Sequence, residues 1–315
     1  MRLKRAFRIL TDNFNNVFKM LLYRGIMLSL SLGLIYLVLS LGLNGILESA
    51  EASTITTMIG DFFRALVTGN SEYLVSFSEA FPLAVTDFLN LLIANIGSIV
   101  GSVVGVVVLY LVFRFLNGIA TFAVCSILND RMSLNAKTSF AGAYFPNIGS
   151  AMLYQLIYVP LSFVYDLVSL ALCWGFCWLF FSAIASWGFF GMLVGLAITI
   201  TGFICLQALK MTWISPWMPA VIHEKKVGAT LGKSLSDGRK FSTRFGNFLL
   251  AIYLIVAINV ACAFATLGSM LIITVPASFV LLSCLQLVCY YEDNGKRYYL
   301  ASDCIVGDDA ETLPQ

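Results

Sequence analysis

Past residue 24 the chain falls into long apolar runs separated by short polar ones. A helical bilayer crossing needs about 20 apolar residues. That length predicts about six spans, near 25–47, 92–113, 147–170, 188–210, 247–267 and 270–291. Between Ile148 and Leu209 the only charged residue is Asp166, so the third and fourth spans run together. Their best break is Ala185-Ser186-Trp187-Gly188, with Leu172 to Phe181 as another stretch that could form part of the turn. The expected fold class is all-α: a polytopic membrane helical bundle, one membrane domain over 1–315.

Two segments outside the spans are also helical in pattern. In residues 1–24, Leu3, Phe7, Leu10, Phe14, Val17, Phe18 and Leu21 recur at steps of three and four, with Arg2, Lys4, Arg5 and Arg8 between them. This predicts an interfacial helix with its cations on anionic headgroups. Its polar interruptions, with no small-residue cleavage site following, do not fit a cleavable signal peptide. In residues 48–91, Ile55, Met58, Ile59, Phe62, Phe63 and Leu66 form one apolar stripe, and Phe81 to Leu92 form another. Helices lying on the outer surface or dipping part way in are expected there, with a re-entrant element as the sharper reading.

An internal repeat joins the middle of the chain. Spans two and four each end in a cation, Arg114 or Lys210, followed by a further apolar run and a charged cluster, Asp130-Arg131 or Glu224-Lys225-Lys226. Met132, Ala136 and Phe140 then correspond to Val227, Leu231 and Leu235, and Ser139 to Ser234. Residues 92–170 and 188–267 thus read as parallel hairpin repeats, each holding an amphipathic cytoplasmic connecting helix, with 292–315 as a cytoplasmic tail.

Composition supports a membrane protein: 59% of residues are hydrophobic, 11% are charged and mean hydropathy is +0.89. A net charge of +2 without a basic stripe gives no ground for nucleic-acid binding. The distribution of cations says more. Lysine and arginine flank the even-numbered connections and both ends, leaving only Arg64 in 48–91, beside Glu48, Glu51, Asp61, Glu72, Glu79 and Asp87. Cations are retained on the cytoplasmic side. Both termini are therefore expected in the cytoplasm of a multi-pass plasma-membrane protein.

Candidate chemistry is sparse. The run "KKVGATLGKSLSDGRK" at 225–240 has glycine, lysine and serine, but only three residues separate Gly228 from Gly232. A phosphate loop needs four, after a buried strand. Val227, Leu231 and Leu235 instead predict a short amphipathic helix, so no nucleotide is expected. Lys225, Lys226, Lys233, Arg239, Lys240 and Arg244 read as a surface for anionic lipid or a partner. Cys173 and Cys177 lie one turn apart without nearby ligands, and His223, the single histidine, reads as a surface residue. Neither a metal nor a cofactor is expected. Gly97, Gly101 and Gly105 strip one helix face for packing within the chain, for homodimerisation or for lining a pathway. Asp166, with Arg114 and Lys210, is the candidate coupling or anion site. The topology puts Asp166 near the outer end of its span, where it reaches water; facing the bundle, it would meet Tyr158, Gln155 or Asn259.

The stretch "WMPAVIHEKKVGATLGKSLSDGRKFSTRFGNFLL", followed by a span and a proline-containing segment ending in "YYEDNGKRYY", resembles bacterial six-span proteins grouped with the glycerophosphoryl diester phosphodiesterase membrane domain. The matching positions are Pro219, Glu224, Ala229, Ser234, Lys240, Arg244 and Pro276, within the C-terminal third. The resemblance implies a fold more than an activity, and no phosphodiesterase catalytic domain is expected after the last span. With nucleophile, base and ligand sets missing, an enzyme is not expected. The leading expectation is a scaffold or accessory subunit binding anionic lipid or a partner through cytoplasmic helices. The alternative is a transporter or channel for a lipid or small anionic solute. Membrane lipids and a second copy or partner membrane protein are the expected partners.

Overall fold

A computed structural model describes residues 2–184, 188–224, 227–228, 240–301 and 304–306. The chain is an all-α polytopic membrane bundle. Its helices are α1 (Arg2–Asp12), α2 (Asn15–Leu47), α3 (Ala50–Thr68), α4 (Ser71–Ala94), α5 (Ile96–Leu134), α6 (Phe140–Ile184), α7 (Gly188–Ile214), α8 (Trp217–Glu224), α9 (Phe241–Thr266) and α10 (Leu271–Asp293). Strands β1 (Tyr298–Ala301) and β2 (Cys304–Val306) follow as an antiparallel pair within what reads in sequence as a tail. The helices divide between two compact units, one of residues 26–113 and one of residues 1–25 with 114–315.

Among the described residues, seven helical stretches are long and apolar enough to cross a membrane: α2, α4, α5, α6, the α7–α8 run, α9 and α10. The addition to the expected six is α4, which lies in the segment expected to stay outside the spans. Two successive crossings must reverse direction between them, and α4 meets α5 with only Asn95 between. Asn95 stays on the right-handed side at φ −104° and ψ 19°. Its N–H donates to Leu91 O at 3.0 Å and its carbonyl accepts from Ile99 N at 3.2 Å. Asn95 is thus the last donor of α4 and the first acceptor of α5, and it joins the two helices without a loop. By length and composition α4 is a candidate crossing in a segment expected to stay outside the spans.

Local chemistry fixes the ends of the α3–α4 hairpin in the unit of residues 26–113. Ser49 accepts from Ala52 N to cap α3, Gly69 takes the left-handed φ of 70° that ends it, and Asn70 accepts from Tyr73 N to start α4. The pair closes on Phe62 and Phe77, 4.6 Å apart, and Phe77 stacks on Phe81. Below it, α2 and α5 cross at small residues. A Cβ on Gly105 would meet Val38 at 2.9 Å, and one on Gly42 would overlap Ser102. Gly97 and Gly101 have open space beside them, so only one glycine of the expected stripe packs within this unit.

The other unit holds the main apolar core. Ile9 and Leu10 of α1, Val17 and Met20, Phe122 to Met132 of α5, Trp217 to Val221 of α8, Phe248 of α9 and Val280 to Tyr291 of α10 meet there with Tyr298. Residues beyond Arg114 in α5 are thus not a separate amphipathic connecting helix but the buried end of the same long helix. Helix α6 runs 45 residues without a break, about 67 Å at 1.5 Å per residue. Leu172 to Phe181 are therefore helical and not part of the turn, and Gly188, with φ 57°, opens α7.

Helix α1 corrects the interfacial expectation. Its buried side is Ala6, Ile9 and Leu10, and that side rests on protein, with Leu3 and Phe7 packed against the same core. Only Lys4, Arg8, Thr11 and Asp12 are exposed.

Candidate functional site

Arg114 lies 20 residues before the end of α5, and Asp166 lies 26 residues after the start of α6. Counted from the other side, Asp166 is 18 residues before the end of α6 and Lys210 is 22 residues into α7. Helices that fold back on each other bring positions equidistant from the turn to one level. All three charges therefore meet, although they belong to three different helices.

Arg114 Nη2 donates to Asp166 Oδ2 at 2.7 Å and Lys210 Nζ donates to Asp166 Oδ1 at 2.5 Å. Gln207 Nε2 reaches the same Oδ1 at 3.3 Å, and Arg114 Nη2 also donates to Ser162 Oγ at 2.6 Å. Lys210 is the most enclosed, its side chain 8% exposed against 19% and 24% for Arg114 and Asp166. Around them Tyr165 donates to Leu206 O at 2.7 Å and places its ring 5.9 Å from Lys210 Nζ. Both oxygens of the carboxylate are engaged by cations from the helices on either side. The cluster ties α5 to α6 and α6 to α7, and it carries one positive charge more than negative.

The structure thus brings together the three charged residues named from sequence, with Asp166 facing the bundle. Tyr158 adjoins the cluster through Ser162 and Arg114. Gln155 packs instead beside Gly118, and Asn259 bonds to Ser278 and Thr274 of α10. Ser162 and Gln207 were not singled out in sequence; both lie one helical turn from a charged member of the cluster, which is the signal that finds them.

A second ionic cluster fastens the C-terminal end of α10. Arg2 donates through Nε to Glu292 Oε2 and through Nη2 to Asp293 Oδ1, both at 2.8 Å. Arg5 Nη1 donates to Glu292 Oε1 at 2.6 Å, and Tyr298 Oη donates to the same oxygen at 3.0 Å. Arg244 bonds Asp293 Oδ2, and Lys240 bonds the Asp293 carbonyl, one of the last of the helix. Arg244 and Lys240 therefore correct the expectation of an exposed lipid or partner surface: Arg244 is 6% exposed and both are committed to Asp293. Lys225, Lys226, Lys233 and Arg239 lie outside the described residues. Burial pulls the Arg2 guanidinium down, but Cys289, Asp293 and Glu292 together carry it above its ordinary value. The hydrogen bond to Glu292 raises Arg5 likewise. Burial, then the charge of Glu292, raises Tyr298.

His223 also departs from expectation. It is half-buried, stacked on Tyr290 at 5.2 Å and edge-on to Tyr291 at 5.5 Å, and so is not a surface residue. Among the described residues no group of three His, Cys, Asp or Glu side chains comes together as a metal site would require. Comparison with known protein families, curated proteins and solved structures finds no match for the chain.

Proposed function

We propose that this integral membrane protein is a plasma-membrane scaffold or accessory subunit, with both termini in the cytoplasm, that holds anionic lipid or a partner at its inner face. The observation that carries the reading is the closed state of the Asp166 cluster. A residue that carries protons or substrate needs a free oxygen or an opening; both Asp166 oxygens are held by Arg114 and Lys210. Such a cluster suits locking three helices in register. The likeness of the C-terminal third to six-span proteins of the phosphodiesterase membrane-domain group belongs to this proposal as a common architecture.

The transporter reading draws on the same residues, since a cluster with one surplus positive charge inside candidate spans could open to an anion. One experiment separates the two. Vesicles containing wild type or D166N are assayed for anion flux and lipid scrambling, and the purified proteins are compared by thermal unfolding. The scaffold reading expects no flux above empty vesicles from either protein. It also expects D166N to lose about 3–5 kcal/mol of stability, as when a partly buried charge is left unpaired. Flux from wild type that disappears in a folded D166N would establish the transporter reading instead.

A further inference from the structure

Arg24 sits in α2 with the central carbon of its guanidinium 3.6 Å from the centre of the Phe279 ring. Its Nη2 reaches Thr121 Oγ1 at 3.4 Å, the long limit of a hydrogen bond, and its Nε is buried without a partner. Among the described residues no carboxylate forms an ion pair with it. The ion-paired arginines of this unit, Arg2, Arg5, Arg114 and Arg244, each meet Asp or Glu. A buried cation without an anion is costly, and proteins retain one where something supplies the missing charge.

The surroundings narrow what that anion is. Phe279, under the guanidinium, is 39% exposed. The site therefore opens onto apolar surface, which acyl chains cover and a free ion does not. Asn117, one turn from Thr121 on α5, has a buried Oδ1 without a partner, an acceptor for a hydroxyl donor. A guanidinium matches two oxygens of a phosphate in a planar fork.

We propose that Arg24, with Thr121, Phe279 and Asn117, binds the phosphate of an anionic membrane lipid whose headgroup carries a hydroxyl. Phosphate oxygens take the guanidinium of Arg24, the headgroup hydroxyl donates to Asn117 Oδ1, and the chains lie along Phe279. This deepens the lipid-holding part of the scaffold reading and rests on it. The flux experiment bears on that reading alone, and the following one on this site alone.

Full-length protein is reconstituted in nanodiscs of phosphatidylcholine with phosphatidylglycerol, extracted in mild detergent and analysed by native mass spectrometry for retained lipid. Wild type is expected to keep one phosphatidylglycerol under conditions that remove phosphatidylcholine. Retention falls by about tenfold or more in R24A, a change of one decade in dissociation constant. R8A, which removes an exposed cation of α1, retains lipid as wild type does. R24Q keeps the side-chain length without the charge, and carries the same expectation if R24A does not fold. Inorganic phosphate added alone leaves the retained lipid in place. Retention in R24A and R24Q equal to wild type overturns the site. Equal retention of phosphatidylcholine, or displacement by inorganic phosphate, overturns an anionic lipid as the occupant.

Discussion

At Gly118 of α5 the Gln155 side chain of α6 fills the space that a Cβ would need. A Cβ there would stand 2.3 Å from Gln155 Cδ, and Gln155 is itself 2% exposed. G118A is expected to destabilise by about 1–3 kcal/mol through overpacking, measured by chemical unfolding in detergent. Q155A added to G118A should recover part of that loss, because the clash is with that one side chain. By contrast Gly101 faces open space within the chain, so G101A is expected to leave monomer stability unchanged or raise it by up to about 1 kcal/mol, as helical Gly to Ala changes do. A loss of self-association in G101A, read by cross-linking, would assign the open glycines to a second copy. The regular spacing of Gly97, Gly101 and Gly105 was legible in sequence; which of them packs was not, because that depends on where α2 crosses. Arg114, Asp166 and Lys210 stood out as rare charges in apolar runs. Their meeting was obscured because α6 is far longer than one bilayer crossing, so a span drawn over 147–170 put Asp166 too near its end.

At the scale of elements, α1 behaves as a clasp. Asp293 is 1% exposed in its side chain and binds Arg2 and Arg244, while Glu292 binds Arg2 and Arg5. D293A removes the anion and leaves its cations buried, and is expected to cost about 3–5 kcal/mol. Hydrogen exchange should show α1 losing protection before α6 or α9. The strand pair adds a pH dependence through Tyr298. Its folded-state value is raised by burial and by Glu292, so its contribution is complete below the ordinary tyrosine value of about 10 and is lost as pH rises through the raised one. The denaturation midpoint should therefore fall on the alkaline side of about pH 10, and Y298F should show a smaller fall. Sequence periodicity identified α1 as a helix with an apolar side. It could not say whether lipid or protein covers that side, because both offer the same apolar contact.

For the molecule as a whole, whether α4 crosses the bilayer decides the topology. Six crossings return both termini to one side and set the α3–α4 hairpin on the other; seven would separate the termini. In a cysteine-free background, a membrane-impermeant thiol reagent is expected to label S76C from outside intact cells and N294C only after permeabilisation. Labelling of both from outside would establish α4 as a crossing. Six of the seven candidate spans were legible as apolar lengths. The two-unit packing was not, since α2 and α5 contribute to both units and nothing in their composition marks residue 25 or 113 as a boundary. The ion pairs of α1 also impose an order on biogenesis. Arg2 and its partner Glu292 are 290 positions apart, so the ribosome must finish nearly every span before the clasp can close. Until then α1 is a basic amphipathic segment with only headgroups to neutralise it. A chain halted before α10 keeps it in that lipid-bound state, and completion of the last helix draws it off the membrane surface onto protein.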